Sequence, residues 1–505
     1  MRSKSRIHKV SHLLVRVILI VVALPCAFLI GESLIYFSRQ RATQNMDSQP
    51  ALPQIPSPTS TERLLVIAPH CDDETLGCAG IIQKTLKAGG QVQVVIMTNG
   101  DGFRVAVERQ TGKLRLMPRD YIRFAIERQE ESRIALGLLG VPKENVIFLG
   151  YPDSGLTNLW ESNWSSERLF TSPYTQASAS PYADSATPKA SYCGESVMKD
   201  LTKLIYSFAP TRILTTHPSD DHGDHSSTAS FVAASLDSVS RLADGKTHGG
   251  GASLGYYIIH RGRWPVPSGL FTKMPLLAPP EMTRLDTEWK SVELTPDEVA
   301  LKAKSLASYP TQTAMMPEFI NSFIRNTEIQ GTLSAQKLAD APPGTIKMDA
   351  SSEDWADIRP IELDPVKDNI VRDLQGGADL KAIYACRGDN NLYLRIDLQR
   401  DISSRYRYIL HIRSFDTNGE SRAEPLSLRL SSSLSSDKRS SFVAQKGHMF
   451  EILIPWGRIR NGCKGEVAAL SIGAETALTG LDGLQVDTTG YRLVKVEPIA
   501  RESVQ

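Results

Sequence analysis

From Arg63 onward, continuous apolar runs alternate with segments of helical periodicity, and this alternation constrains the fold more than any other feature of the chain. The run RLLVIAP, residues 63–69, is typical of a strand that is buried on both faces. Four later runs have the same character: QVQVVIMTNG, NVIFLGYPD, TRILTTHP and LGYYIIHRG. The segments between them, including Tyr121 to Leu139 and Ser196 to Phe208, have helical spacing. Strands that alternate with helices predict an α/β domain whose parallel sheet is flanked by helices and joined by right-handed crossovers.

The C-terminal region has a different pattern. From about Ile346, short strand-like runs such as LYLRIDLQ and MFEILIPW are separated by turn residues, which predicts an all-β sandwich. A chain of 505 residues is also too long for one typical core. We therefore predict an α/β domain over residues 62–335 and a β-sandwich over residues 346–500.

The N-terminus combines basic residues with an apolar run. Arg2, Lys4, Arg6, Lys9 and Arg16 precede an apolar stretch that extends from residue 17 to 37, interrupted by a glutamate. This length suffices for a membrane span, and the basic side should stay cytoplasmic. Residues 1–39 are therefore predicted to be a cytoplasmic basic tail and a transmembrane anchor, with a cleaved signal peptide as the alternative.

The residues after the predicted anchor indicate where the rest of the chain lies. Residues 40–61 are rich in Pro, Ser, Thr and Gln, which predicts an extended linker. The prediction is a single-pass membrane protein with a cytoplasmic N-terminus. Its catalytic domain would be extracytoplasmic, either periplasmic or extracellular.

Net charge and cysteine spacing argue against two classes of function. The formal net charge is +1, whereas nucleic-acid binding usually requires a strongly basic face, so no nucleic-acid partner is expected. The six cysteines form no CxxC pair, which makes a thiolate zinc site improbable.

Two clusters of His and Asp follow two of the predicted strands. VIAPHCDDETLG places His70, Asp72 and Asp73 after the first strand, and THPSDDHGDHSST places a second cluster after the fourth. In open α/β sheets, sites form at the carboxyl ends of the strands, so the clusters can meet there. Adjacent aspartates could instead cap the following helix, but two such clusters favour a metal site.

Each residue of these clusters has a candidate role in metal chemistry. His70, Asp73 and His225 could supply a His₂Asp set, which suits catalytic zinc with a position left for water. Asp72, the adjacent aspartate that is not in this set, could then face that water. Asp224 could orient a ligand histidine, and His222 could stabilise a developing oxyanion. Other divalent ions remain possible, because His/Asp sites accept several metals.

The two motifs carry a family resemblance. PHCDDE and HGDH resemble the paired motifs of the PIG-L/LmbE-like zinc-dependent N-deacetylases, and TNGD, RQEESRIALGLLG and FLGYPDSGL extend the similarity. Two later segments, KAKSLASYPTQ and FIRNTE, resemble the family weakly. The resemblance covers residues 63–328 and implies a Rossmann-like, LmbE-like fold.

The resemblance also implies a role for each matching residue. His70, Asp73 and His225 match the zinc ligands, and Asp72 matches the general base. His222 matches the residue that polarises the carbonyl and the oxyanion, and Asp224 matches the partner of the histidines. Arg128 and Asp153 match positions that bind polar groups of the substrate. Cys71 stands where the family usually has proline, which leaves a thiolate ligand as an alternative.

These roles imply a zinc-dependent N-deacetylase that hydrolyses the acetamide of N-acetylglucosamine-type residues in a glycan or glycolipid. A deacetylase of a small amino-sugar conjugate and a catalytically retired glycan-binding protein are the alternatives. The C-terminal region is loosely similar to CBM9-like sandwich modules, which would add a glycan-binding function. Trp355 and Trp456 are then either sugar platforms or, as is commoner in such folds, core residues.

Overall fold

A computed structural model describes residues 51–283, 285–365, 376–421, 424–430, 442–480 and 485–498. The predicted anchor, residues 1–39, and the first part of the predicted linker lie outside these ranges. Among the described residues, no helix combines the length and the apolar character that crossing a bilayer requires. The anchor therefore stays a prediction.

The first part of the chain is built on a seven-stranded sheet with the order β3-β2-β1-β4-β5-β7-β6. The strands β1 to β5 pair in parallel, as predicted. Their apolar side chains are almost all buried, since helices cover both faces. The strands are β1 (Arg63–Ala68), β2 (Gln91–Thr98), β3 (Val146–Tyr151), β4 (Arg212–Thr216), β5 (Ser253–Tyr257), β6 (Thr287–Glu293) and β7 (Thr327–Leu333).

The prediction of a wholly parallel sheet is wrong at one edge. β7 runs antiparallel to both β5 and β6, so the sheet is mixed. Neither strand is a continuous apolar run, because both lie at or near the sheet edge and alternate partly. The last part of the predicted linker lies along this edge, where Gln54 bridges to Ser291.

The helices follow the strands in the predicted alternation. They are α1 (Asp73–Lys87), α2 (Arg104–Thr111), α3 (Pro118–Leu138), α4 (Leu156–Glu161), α5 (Gly194–Phe208), α6 (Gly223–Ser240), α7 (Pro296–Leu306), α8 (Pro310–Thr313) and α9 (Pro317–Asn321). Short 3-10 turns occupy Lys143–Asn145 and Pro280–Met282, and a π-helical turn occupies Lys246–Gly250.

The strand order determines where a site can form. The chain proceeds outward from β1 to β2 and β3, then returns to place β4 and β5 on the other side of β1. The loops after β1 and β4 therefore diverge at a switch point, which opens a crevice at the carboxyl ends of these strands. The two predicted motifs occupy these two loops.

The rest of the chain forms two six-stranded sheets, β10-β11-β12-β16-β15 with β9, and β14-β13-β17-β19-β8 with β18. Both sheets contribute apolar residues to one shared core. The strands are β8 (Gln336–Lys337), β9 (Ala339–Asp340), β10 (Pro360–Leu363), β11 (Leu380–Gly388), β12 (Asn391–Leu398), β13 (Tyr406–Asp416), β14 (Leu426–Leu430), β15 (Phe442–Lys446), β16 (Met449–Pro455), β17 (Val467–Leu478), β18 (Gln485–Thr488) and β19 (Arg492–Lys495).

Two features refine the predicted sandwich. Its sheets already include β8 and β9, so the β-rich region begins at Gln336, before the predicted boundary at residue 346. A 3-10 turn, Glu353–Trp355, and a short helix, α10 (Trp456–Arg460), complete the region. Trp355 and Trp456 are both buried, so they are core residues in this structure rather than exposed sugar platforms.

The two parts of the chain share a packed contact. Phe415 of the β-rich region belongs to the same buried cluster as Trp160 and Trp164. The guanidinium of Arg413 donates to the carbonyl of Trp160 and lies over the ring of Trp164. Tyr491 donates to the carboxylate of Glu161, at the end of α4. The segment between β3 and α5 is therefore held against the C-terminal sheets.

Candidate functional site

Three of the predicted ligands meet at the crevice. The Nδ1 of His70 and the Nε2 of His225 each lie 3.2 Å from the Oδ2 of Asp73, and the two nitrogens lie 3.2 Å from each other. All three residues are buried. The ligand atoms thus form a nearly equilateral triangle, although His225 is 155 residues from His70 in the chain.

This triangle fits a tetrahedral zinc ion. Bonds of about 2.0–2.2 Å in tetrahedral geometry separate neighbouring ligand atoms by roughly 3.3–3.6 Å. Two imidazole nitrogens and one carboxylate oxygen are also a common ligand set for catalytic zinc. The residues present therefore suit a metal with three protein ligands and a fourth position for water.

Carboxylates lie beside the far nitrogens of both predicted ligand histidines. The Nε2 of His70 lies 3.3 Å from Asp224 and 3.5 Å from Asp153. The Nδ1 of His225 lies 3.3 Å from Asp220. Such outer carboxylates orient the ring and raise its basicity towards a metal. Asp224 was predicted in this role for a histidine ligand, whereas Asp220 was missed, although it lies in the same motif.

Backbone amides hold these outer carboxylates in turn. Asp224 accepts hydrogen bonds from the amides of Ser154 and Leu156, at 2.6 and 2.9 Å. Asp220 accepts from the amides of Ile259 and His260, at 2.9 and 3.0 Å. The loops after β3 and β5 therefore support the two ligand histidines.

Asp72 has an unusual backbone conformation, with φ of 120°. Left-handed φ values are costly for residues other than glycine, about 1–3 kcal/mol, and cluster at functional sites. Asp72 precedes α1, yet its carboxylate makes no capping hydrogen bond, so the alternative of a helix cap is not realised. Burial raises the pKa of this carboxyl well above its usual range, against the opposing charge of Arg128.

Two buried groups hold the strained loop. The Arg128 guanidinium donates to the carbonyls of Cys71 and Gly100, at 2.7 and 3.1 Å, and lies 3.5 Å from the Asp72 carboxylate. The Glu74 carboxylate accepts from the amide of Asp72 at 3.0 Å. Arg128 thus contacts the loop directly, in addition to lining the cavity where its predicted role is to bind substrate.

The thiol of Cys71 belongs to the hydrophobic core. Burial raises its pKa to about 12. A thiol in this environment stays protonated, which disfavours the alternative of a thiolate ligand.

His222 and His260 lie beside the triangle. The Nδ1 of His222 accepts from the amide of Asp224 at 3.2 Å, so the neutral ring carries its proton on Nε2 and can donate it. His260 packs near both His222 and His225 and stacks on Phe319. His260 is not among the predicted site residues, although it lies within the fifth predicted strand segment, LGYYIIHRG.

The cavity next to the triangle measures about 280 Å³. Its polar lining residues are His70, Asp72, Asp73, Arg128, Asp153, Ser154, His222, His260 and Gln312. Its apolar lining residues are Leu76, Phe103, Ile259, Met316 and Phe319. All the predicted site residues therefore line one cavity, except His225 and Asp224, which are fully buried.

The polar insertion between β3 and α5 supports Asp153. Its Tyr182 donates to the Oδ2 of Asp101 at 2.6 Å, and the Oδ1 of Asp101 accepts from the amide of Asp153 at 3.2 Å. Burial, together with the charge of Asp153, raises the pKa of Asp101 to about 7. The insertion is thus part of the site's framework.

The two late segments of the family resemblance meet beneath the site. Lys302, from KAKSLASYPTQ, binds Glu328, from FIRNTE, at 2.8 Å, and also the carbonyl of Leu76 at 2.7 Å. Glu328 accepts from the amides of Gly80 and Ile81 in α1. This buried ion pair therefore anchors the helix that begins with the predicted ligand Asp73.

Several solved structures resemble the chain. N,N'-diacetylchitobiose deacetylase from Pyrococcus horikoshii is 19% identical, with a TM-score of 0.32, over 51% of this chain and 75% of that one. The zinc-inhibited form of teicoplanin deacetylase Orf2 is 16% identical, with a TM-score of 0.33, over 53% and 97%. A putative carbohydrate-binding protein from Bacteroides uniformis is 9% identical, with a TM-score of 0.21, over 32% and 100%.

At the level of sequence, no curated protein matches the chain. The PIG-L family, described as GlcNAc-PI de-N-acetylase, matches residues 65–236. The matched range contains both motifs, from His70 to His225. It confirms the family predicted from them and the predicted class of enzyme, a hydrolytic deacetylase. Residues 65–236 are a PIG-L family domain.

Proposed function

We propose that the protein is a zinc-dependent N-deacetylase that removes acetyl groups from N-acetylglucosamine-type residues of a glycan or glycolipid. The observation that carries the proposal is the triangle of His70, Asp73 and His225, with the carboxylate of Asp72 facing the same cavity. A metal and a base at one cavity are the two requirements for hydrolysis of an amide by water.

The chain's own residues account for the proton transfers. Zinc bound to the triangle would lower the pKa of a coordinated water and polarise the amide carbonyl. Asp72 would accept the proton of the attacking water and then pass it to the leaving amine. His222 would donate a hydrogen bond from its Nε2–H to the developing oxyanion and keep its proton. Acetate and a free amino sugar are the products.

The cavity walls support a sugar as the substrate. Asp153 and Ser154 offer acceptors and donors for sugar hydroxyls, and the Asp153 carboxylate is held by the amide of Gly102 at 2.8 Å. Phe319 and Met316 offer apolar surface in the same cavity, suited to the apolar face of a pyranose ring. The cavity is small for a ligand site, so a single residue of a longer glycan would enter it.

The location of the enzyme is part of the proposal. The basic N-terminus followed by the apolar stretch of residues 17–37 supports a single-pass anchor with the catalytic domain outside the cytoplasm. A surface glycan or a glycolipid would then be closer to the site than a soluble metabolite. We propose the C-terminal sheets as a sandwich domain that accompanies the catalytic domain.

The test is acetate release from N-acetylglucosamine oligomers by the full-length, zinc-loaded protein. Asp72→Asn should lower turnover at least ~100-fold because it removes the general base, with unchanged zinc content. Asp297→Asn is the matched control, since Asp297 is exposed at the start of α7 and does not line the cavity, and it should keep full activity. Retained activity of Asp72→Asn would refute the role of the base. No release by the zinc-loaded parent protein would refute this substrate class.

A further inference from the structure

We propose a second divalent-cation site, separate from the catalytic one, where α4 meets the C-terminal sheets. Its ligands are Glu161, His411 and Glu475, whose ligand atoms all lie within 4.8 Å of one another. The donor set of one imidazole and two carboxylates suits zinc. The site would join the PIG-L domain to the β-rich region, independently of the proposed reaction.

The fold brings the three residues together from three elements. Glu161 is the last residue of α4, His411 lies on β13 and Glu475 on β17. Ile409 is the register partner of Glu475. Since side chains two residues apart share one face of a strand, His411 and Glu475 project from the same face of the sheet. That face is turned towards α4.

The histidine has a nitrogen available for a metal. His411 is 7% exposed, and its Nδ1 lies 2.9 Å from the hydroxyl of Ser427. Its Nε2 is buried and makes no hydrogen bond among the described residues, while lying 3.5 Å from the Oε1 of Glu475. A buried polar atom without a hydrogen bond is costly. A cation would satisfy it, with Nδ1–H donating to Ser427 as an outer partner.

Each carboxylate is held by one oxygen and leaves the other for a ligand bond. The Oε1 of Glu161 accepts from the hydroxyl of Tyr491 at 2.5 Å. The Oε2 of Glu475 accepts from the side-chain Nε2 of Gln485 at 2.8 Å. With Ser427 on the histidine, all three ligands therefore have the outer support that metal sites require.

The electrostatics of the cluster also favour a cation. Burial raises the pKa of Glu161, and the charge of Glu475 raises it further, while His411 opposes both. Arg413 adds positive charge nearby, but its guanidinium is engaged by the carbonyl of Trp160 and the ring of Trp164. A divalent ion would offset the repulsion between the two carboxylates directly.

The test measures zinc bound per chain by elemental analysis of the full-length protein after dialysis at fixed free zinc. His225→Ala disables the catalytic site, so this variant should retain one zinc per chain. Adding His411→Gln should remove it. Adding His448→Gln, a change at an exposed histidine of the same region, should leave it in place.

Glu475→Gln in the His225→Ala background provides a second route, since it removes one ligand charge without changing the side chain's size. It should also abolish binding of the remaining zinc and the rise in melting midpoint that zinc produces. If His225→Ala binds no zinc, or if its zinc survives both His411→Gln and Glu475→Gln, the site does not exist. Loss of activity by the parent protein would not affect this result.

Discussion

The buried ion pair between Lys302 and Glu328 permits a quantitative prediction. Lys302 is 0% and Glu328 1% exposed. Lys302 donates to the carbonyl of Leu76, and Glu328 accepts from the amide of Gly80. The ion pair thus contacts two backbone groups that lie one turn apart in α1. Removing one partner of such a pair leaves a buried charge and costs about 3–5 kcal/mol.

The structure predicts which partner is costlier to remove. After Lys302→Met, the carboxylate of Glu328 keeps two amide donors, at 2.7 and 3.2 Å, each charged hydrogen bond contributing about 1.5–3 kcal/mol. After Glu328→Gln, the ammonium of Lys302 loses its carboxylate partner and keeps the neutral carbonyl of Leu76 as an acceptor. We therefore expect Lys302→Met to lower the free energy of unfolding by ~3 kcal/mol and Glu328→Gln to lower it by ~5 kcal/mol.

The assay is urea unfolding of the full-length protein, followed by circular dichroism, for both single variants and the double variant. The double variant removes both charges, so it should cost at least ~2 kcal/mol less than the sum of the single changes. Lys84→Met is the control, because its pair with Glu298 is partly exposed and should contribute less than ~1 kcal/mol. A cost of Lys302→Met similar to that of Lys84→Met, or additive single changes, would refute the reasoning.

Three further predictions concern the site and the fold. Gly100→Ala should lower turnover ~10-fold or more without loss of zinc, because a Cβ at this position would overlap the Arg128 guanidinium. Gly112 also has a positive φ but faces open space. Gly112→Ala should therefore leave turnover unchanged in the same acetate assay. Asp220→Asn should weaken zinc affinity ~10–100-fold, and unchanged affinity by competitive chelator titration would contradict its role. Burial raises the pKa of Glu362 from 4.5 to about 8, so its stabilising contribution is full below pH 4.5 and is lost as pH rises through 8. The free energy of unfolding should therefore fall by about 2.7 kcal/mol between pH 6 and 9, and Glu362→Gln should abolish that fall; an equal fall in this variant would refute the assignment.

The features predicted correctly from sequence are those with a local physical signal. A parallel strand buried on both faces must be a continuous apolar run, so β1 to β5 could be identified without their partners. The candidate site residues could be named because most of them are contiguous in two short motifs that follow two such strands. The meeting of His70 with His225 then followed from the rule that the carboxyl ends of parallel strands share an edge.

The features missed depend on which distant segments return to the site. β7 lies beside β5 only because the chain folds back after α9, and nothing local marks its antiparallel direction. Asp220 could be named as part of a motif, but its role depends on the amides of the loop after β5. The pairing of Lys302 with Glu328 likewise requires three elements to meet. The two segments that carry these residues therefore have no local signal of their own, and their resemblance to the family is weak.

Asp72 shows how these distant contacts produce chemistry from a local motif. An aspartate before a helix normally stabilises it by capping, at about 1 kcal/mol. Here the backbone takes a strained conformation instead, at a cost of about 1–3 kcal/mol, and the carboxylate forgoes the cap. Arg128 and Glu74, which come from α3 and α1, hold that conformation through the carbonyl of Cys71 and the amide of Asp72. This arrangement lowers the stability of the local structure. What it provides in return is the position of the Asp72 carboxylate, which faces the cavity beside the ligand triangle. A helix start alone does not require two buried ionisable side chains to hold it.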